Sequence, residues 1–172
     1  MAKRDAPIST ARLVLRRKQE RDVPYMMELF NDEEVRRYLG GDPPRSQRAM
    51  ERMVGQGRTT QWAVTLNDEY IGECQLLRIA QGRVAEIGYF FRREFWGQGY
   101  AFEAAGALID YCSGVLGLER LWASVDDGNL RSKRLLLRLG FEQAALLPEW
   151  DFGGRVADTA LFTRRLLSNI PR

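Results

Sequence analysis

Residues 85–91 form an apolar run of strand type, residues 102–115 a helical run with a wide apolar face, and residues 121–125 a short, continuously apolar strand. Strand, helix and strand in that order imply a parallel pair joined by a right-handed crossover. The unbroken apolar character of 121–125 suits a strand covered on both faces. Between the first strand and the helix the chain reads Phe95-Trp96-Gly97-Gln98-Gly99-Tyr100-Ala101. Glycines let the backbone turn tightly and let a ligand come close. The unpaired N–H groups of the first helical turn, with the helix dipole, favour phosphate. Two common phosphate loops do not fit: no Lys follows the glycines, as a P-loop requires, and Phe102 stands where the dinucleotide fingerprint needs a third glycine. Taken alone, a Gly-x-Gly pair is equally the mark of a tight strand-to-helix turn.

The flanking chain completes an α/β order. Residues 12–16 alternate apolar and basic side chains, with Leu13 and Leu15 on one face of a half-buried strand. Residues 21–30 and 32–39 read as helices, the first with Asp22 and Pro24 in its opening turn. Gly40-Gly41-Asp42-Pro43-Pro44 breaks the chain, and Ser46 caps a third helix ending by Gly55 or Gly57. Strands follow at 61–66 and 70–79, joined at Asn67-Asp68, and at 83–91 after a turn at Gln81-Gly82. Residues 129–139 form a helix stopped by Gly140, and 141–147 and 156–166 are closing strands. There is no repeat or linker, so residues 1–172 are expected to be one domain.

Composition narrows the chemistry. Histidine is absent, which removes Ser-His and Cys-His nucleophile pairs and histidine metal sites. Acid–base work then falls to carboxylates, Tyr, Cys, Lys, hydroxyls or water. Cys74 and Cys112 sit in strand and helix patterns and read as small core residues. A net charge of +3 with dispersed basic residues suits a small anionic ligand and argues against nucleic acid. No apolar run reaches the length of a membrane span, and the polar start lacks a signal core, so a cytoplasmic protein with no membrane partner is expected.

Ala85-Glu86-Ile87-Gly88-Tyr89, Trp96-Gly97-Gln98-Gly99-Tyr100-Ala101-x-Glu103-Ala104, Asp126-x-x-Asn129-x-x-Ser132 and Leu139-Gly140-Phe141 follow one another in an order that resembles the GNAT acyltransferases. The likeness is strongest to the branch with ribosomal-protein N-terminal acetyltransferases of the RimJ/RimL type. The opening Thr10-Ala11-Arg12-Leu13-Val14-Leu15-Arg16 and the late Asp158-Thr159 match that branch too. The resemblance implies a mixed α/β fold: a central, mostly antiparallel sheet with one splayed parallel strand pair, flanked by helices. It implies acetyl-CoA as cosubstrate, no metal, and direct attack by a primary amine of a protein N-terminus or a small molecule. Transfer of another acyl group such as succinyl, and a CoA-binding module without turnover, are the alternatives. A homodimer is implied by resemblance alone.

Carried over residue by residue, the resemblance assigns the pantetheine to the splayed strand end around Phe90 and Phe91, where backbone groups lack ladder partners. The pyrophosphate falls to Trp96, Gly97, Gln98, Gly99, Tyr100 and Ala101. Glu86 matches the strand glutamate that serves as general base in some members; an ion pair within the sheet is its other reading. Asp126 and Glu142 are weaker candidates, as a helix-start and a surface residue. Many relatives protonate the leaving thiolate with a Tyr where this chain has Leu136. Ser132 matches the branch's serine and is expected to stabilise the thiolate, and Asn129 to orient pantetheine or cap the helix. Trp96 stands where the broad family pattern has Arg or Gln, so a phosphate contact is lost. Arg92 and Arg93 either replace it or end the strand in solvent. Arg131, Arg134 and Arg138 form a stripe that faces solvent or meets the adenosine phosphates. Tyr38, Trp62, Trp150 and Phe152 are candidates to line the acceptor site or belong to the core or a dimer surface.

Overall fold

The computed structural model describes residues 6–39, 46–56, 60–80, 83–151 and 155–166. Eight strands form one sheet in the order β1-β2-β3-β4-β5-β6-β8-β7. They are β1 (Ile8–Ser9), β2 (Leu13–Arg16), β3 (Gln61–Leu66), β4 (Glu69–Ala80), β5 (Val84–Phe91), β6 (Arg120–Asp126), β7 (Glu142–Asp151) and β8 (Val156–Arg165). Every neighbouring pair is antiparallel except β5 and β6. The helix between those two is α4 (Tyr100–Gly114). The others are α1 (Val23–Asn31), α2 (Glu33–Arg36), α3 (Gln47–Gly55) and α5 (Leu130–Arg138). The expected mixed fold with one parallel pair is the fold observed. β1 is an addition that two residues of sequence could not signal.

Local chemistry explains the elements. Asn67 and Asp68 adopt φ of 49° and 68°, the left-handed pair that a two-residue hairpin turn requires. Asp32 caps α2 by accepting from the Glu34 and Val35 amides, and Ser46 caps α3 by accepting from Ala49. The breaks at 40–44, Gly57 and Gln81-Gly82 lie outside the described residues.

Alternation along β3, β4 and β5 divides their apolar residues between two cores. On one face Leu15, Val64, Cys74, Ile87, Leu121 and Phe162 pack with Leu108 and Leu136 of α4 and α5. On the other, Ala63 and Tyr70 pack with Met26, Leu29 and Met50 of α1 and α3. Leu108 is fully buried, so Leu108→Ala should cost about 2–5 kcal/mol. Both cysteines are free and buried; burial pushes the Cys112 thiol up to about 12 and raises Cys74 further, which fits core packing rather than reactivity. Among the described residues no helix is long and apolar enough to cross a membrane.

Candidate functional site

The parallel ladder is short. Val84 pairs with Arg120, Ala85 with Leu121 and Glu86 with Trp122, and the pairing of β5 with β6 stops there. Beyond Glu86 the two strands part, while β4 continues beside β5 as far as Gly72 and Phe91. Backbone groups of residues 87–90 that point toward β6 therefore have no ladder partner on that side. Phe91 differs: its carbonyl accepts the Trp96 indole N–H at 2.7 Å, and its side chain is buried in the α4 core.

The glycine loop has the geometry its sequence suggests. Gly97 and Gly99 take φ of 76° and 82°, a region closed to most side chains. Gly99 occupies the N-cap of α4 with no side chain to satisfy the first-turn N–H groups, which leaves them for an anion. The opening Thr10–Arg12 segment explains itself here. Glu103 accepts from the Thr10 hydroxyl at 2.6 Å, the Arg12 amide at 2.9 Å and the Arg12 Nε at 2.7 Å. Burial alone would raise the Glu103 carboxyl, but these bonds outweigh it and hold the carboxyl below its usual range. The same Arg12 donates to the Gln98 carbonyl at 3.2 Å and lies over the Tyr100 ring, fixing the loop from its outer side.

Glu86 is 5% exposed and shares the α1 face with Gly88 and Phe90. The Ser124 hydroxyl of β6 donates to Glu86 Oε1 at 2.6 Å, which fixes the carboxylate across the last rung before the strands part. Tyr89 and Ser132 lie on the opposite side. The Tyr89 hydroxyl is 2.8 Å from Ser132 Oγ and 3.4 Å from the Ser132 carbonyl. Burial raises the Tyr89 phenol well above its usual range, with the Ser132 bond acting in the other direction. The phenol thus stays protonated, and either hydroxyl can donate along the shorter contact. With the phenol as donor, the Ser132 hydrogen is left to point elsewhere. Asn129 Oδ1 accepts from the Ser132 amide at 3.1 Å and caps α5.

The structure separates several readings that the sequence left open. Arg92 is buried, pairs with Glu28 at 2.9 Å and Glu94 at 2.6 Å, bonds Glu69 Oε1 at 2.6 Å, and lies over the rings of Tyr25 and Phe95. Arg93 pairs with Asp32 at 3.5 Å. Arg92 is thus committed to carboxylates, and Arg93 is exposed at the strand end. The arginine stripe of α5 is not simply solvated: Arg131 lies 4.9 Å from the Trp96 ring centroid and Arg138 4.7 Å from that of Phe102. Trp62 is a core residue, 5% exposed and edge-on to Tyr111, rather than an acceptor residue. Asp126 accepts from the Gly128 amide at 2.8 Å and pairs with Arg155, as a helix-start residue would, and Glu142 is exposed on β7. Tyr38 approaches Gly128, Trp150 is 45% exposed, and Phe152 lies outside the described residues.

Tyr89 and Ser124 did not stand out in the sequence. Their signal is strand parity: Ser124 is two residues past the Trp122 rung and shares the Glu86 face, while Tyr89 is three past Glu86 and faces the opposite way.

Comparison with known proteins identifies the family and the fold. Residues 12–142 match the family described as acetyltransferase (GNAT) domain. A Bacillus licheniformis protein named uncharacterized N-acetyltransferase p20 is 34% identical over 166 residues, 90% of this chain and 93% of that protein. Two solved structures share the fold. RimL, a ribosomal alpha-N-protein acetyltransferase in complex with coenzyme A, superposes with a TM-score of 0.82 at 20% identity, covering 94% of this chain and 98% of that one. The Vibrio cholerae spermidine N-acetyltransferase, in complex with CoA and spermine, gives 0.81 at 23% identity, covering 91% and 96%. The chain belongs to the GNAT acetyltransferase family.

Proposed function

We propose that the chain, acting as a single domain, moves the acetyl group of acetyl-CoA directly to a primary amine, of a protein N-terminus or of a small molecule. The observation that carries this reading is the arrangement at the end of the β5–β6 ladder. A fixed, buried carboxylate, Glu86, faces one side, and a Tyr89–Ser132 hydroxyl pair faces the other. Two solved structures of this fold in complex with CoA are named for amine acceptors of both kinds.

The reaction joins the amine nitrogen to the thioester carbonyl carbon and breaks the carbon–sulfur bond. The nitrogen must lose a proton and the sulfur leaves as a thiolate. Glu86 accepts the amine proton, directly or through one water, with Ser124 holding its other oxygen on station. Ser132 donates its free hydrogen to the thiolate, and Tyr89 keeps Ser132 oriented. The unpaired backbone of residues 87–90 takes the pantetheine amides, and the 97–101 amides at the start of α4 take the pyrophosphate. Asn129 keeps α5, and with it Ser132, in place.

Thiol release from acetyl-CoA, measured with a panel of peptides and small amines, tests the reading. Glu86→Gln should lower turnover at least ~100-fold with the best acceptor, the usual worth of a general base. Turnover unchanged at every pH removes Glu86 as base. Tight acetyl-CoA binding by calorimetry with no release for any acceptor would make the chain a binding module. Faster turnover of a longer acyl-CoA would change the group transferred.

A further inference from the structure

Trp96 deprives the glycine loop of the side chain that would reach phosphate, yet it is not a passive substitute. Its indole N–H is bound to the Phe91 carbonyl, which fixes the ring plane at the entrance of the loop. On that ring lies the Arg131 guanidinium, 4.9 Å from the centroid. Arg131 is the second residue of α5, so its cation sits at the helix end where positive charge is disfavoured. The same turn contains no acidic residue. Helix stability does not explain the placement. Charge pairing does not either. Arg12, Arg92, Arg93 and Lys133 each hold a carboxylate, whereas among the described residues Arg131 has no carboxylate partner and is exposed.

We infer that Arg131, held over the Trp96 ring, is the phosphate contact that the loop itself lacks, and that it binds a phosphate oxyanion of CoA. The inference rests on the CoA reading above. The chemistry is sound on three counts. A guanidinium stacked on an indole loses little further freedom when it bonds an oxyanion. Its fork can meet two phosphate oxygens at once. The Trp96–Arg131 contact also brings the first turn of α5 beside the loop that opens α4, so two helix N-termini address one region. A dianion there relieves the unfavourable charge of Arg131 in its own helix.

Calorimetry of CoA and dephospho-CoA binding tests it. Arg131→Ala should weaken CoA roughly tenfold or more, as expected for a charge-assisted bond. Arg48→Ala, an exposed change of the same charge on α3, should leave affinity within about twofold. An equal Arg131→Ala loss with dephospho-CoA assigns the contact to the pyrophosphate; a loss seen only with CoA assigns it to the 3′-phosphate. Trp96→Leu should weaken binding less than Arg131→Ala, and the two losses should not add. CoA affinity of Arg131→Ala within twofold of wild type, or equal to that of Arg48→Ala, overturns the inference while leaving the CoA reading intact. Wild-type protein that binds no CoA overturns both.

Discussion

Replacing Tyr89 by Phe removes one oxygen and nothing else of consequence. The ring keeps its place beside the α4 core, and only the 2.8 Å contact to Ser132 Oγ and the longer one to its carbonyl are lost. A neutral hydrogen bond of this kind contributes about 0.5–1.5 kcal/mol. If its whole effect is to orient the Ser132 hydrogen toward the leaving sulfur, kcat should fall between roughly twofold and twelvefold. The KM for acetyl-CoA should hold within about twofold, because the ground state does not use that hydrogen. The assay is steady-state thiol release for wild type, Tyr89→Phe, Ser132→Ala and the double variant, with melting temperatures to show that each is folded. In the Ser132→Ala background, Tyr89→Phe should cost nothing further, since the group it acts through is gone. An equal loss of kcat in both backgrounds would falsify the positioning role and make Tyr89 act on the reaction by itself.

Other parts of the molecule give further expectations. Gly72 faces the splayed end of β5, and a Cβ there would sit 2.3 Å from the Phe90 carbonyl oxygen, a backbone atom that cannot step aside. Gly72→Ala should therefore destabilise by about 2–3 kcal/mol in chemical denaturation and weaken CoA binding together. Lys18 and Glu73 form a pair at 2.5 Å with side chains 5% and 1% exposed, and Tyr70 also donates to Glu73. Lys18→Met leaves that carboxylate uncompensated and should cost about 3–5 kcal/mol, whereas Lys18→Met with Glu73→Leu should recover much of the loss in urea melts. The Glu103 carboxyl is held low in the folded state, so its stabilising effect is present above the unfolded carboxyl range near pH 4.3 and fades as pH falls through the lower folded value. Glu103→Gln should flatten that acid slope of melting temperature against pH and leave the neutral-pH curve parallel to wild type.

What the sequence made legible follows from how each signal is encoded. Periodicity and turn residues are local, so the hairpin at Asn67-Asp68, the caps Ser46 and Asn129, and the strand–helix–strand unit around α4 were all readable. Glu86 was readable as a candidate because it lies beside the loop in one continuous motif. Partnership is not local. Whether Arg92 reaches a phosphate or a carboxylate depends on α1, β4 and the turn after β5 meeting at one point, and no spacing in the chain encodes that. The Thr10–Arg12 motif was visible as a pattern, but its role appeared only when Glu103, ninety-odd residues on, was found holding it. Trp62 stayed open between cleft and core for a related reason: an aromatic residue near a candidate site looks the same in sequence whether it lines a cleft or packs edge-on against Tyr111.

The two halves of the proposed chemistry are separated by strand parity, and this gives the splay its purpose. Glu86 and Tyr89 are three residues apart on β5, so their side chains leave opposite faces of the sheet. In a closed sheet a carboxylate on one face could not address a sulfur held on the other. The ladder between β5 and β6 ends at Glu86 itself, and the opening begins at the next residue. A thioester lying in that opening can present its carbonyl toward Glu86 and its sulfur toward Ser132 without any side chain crossing the sheet. In the proposed chemistry Ser124 and Tyr89 have parallel duties, Ser124 fixing Glu86 from β6 and Tyr89 fixing Ser132 from β5. The absence of histidine fits this division of labour: with base and thiolate donor on separate faces, no single residue has to carry a proton from one to the other.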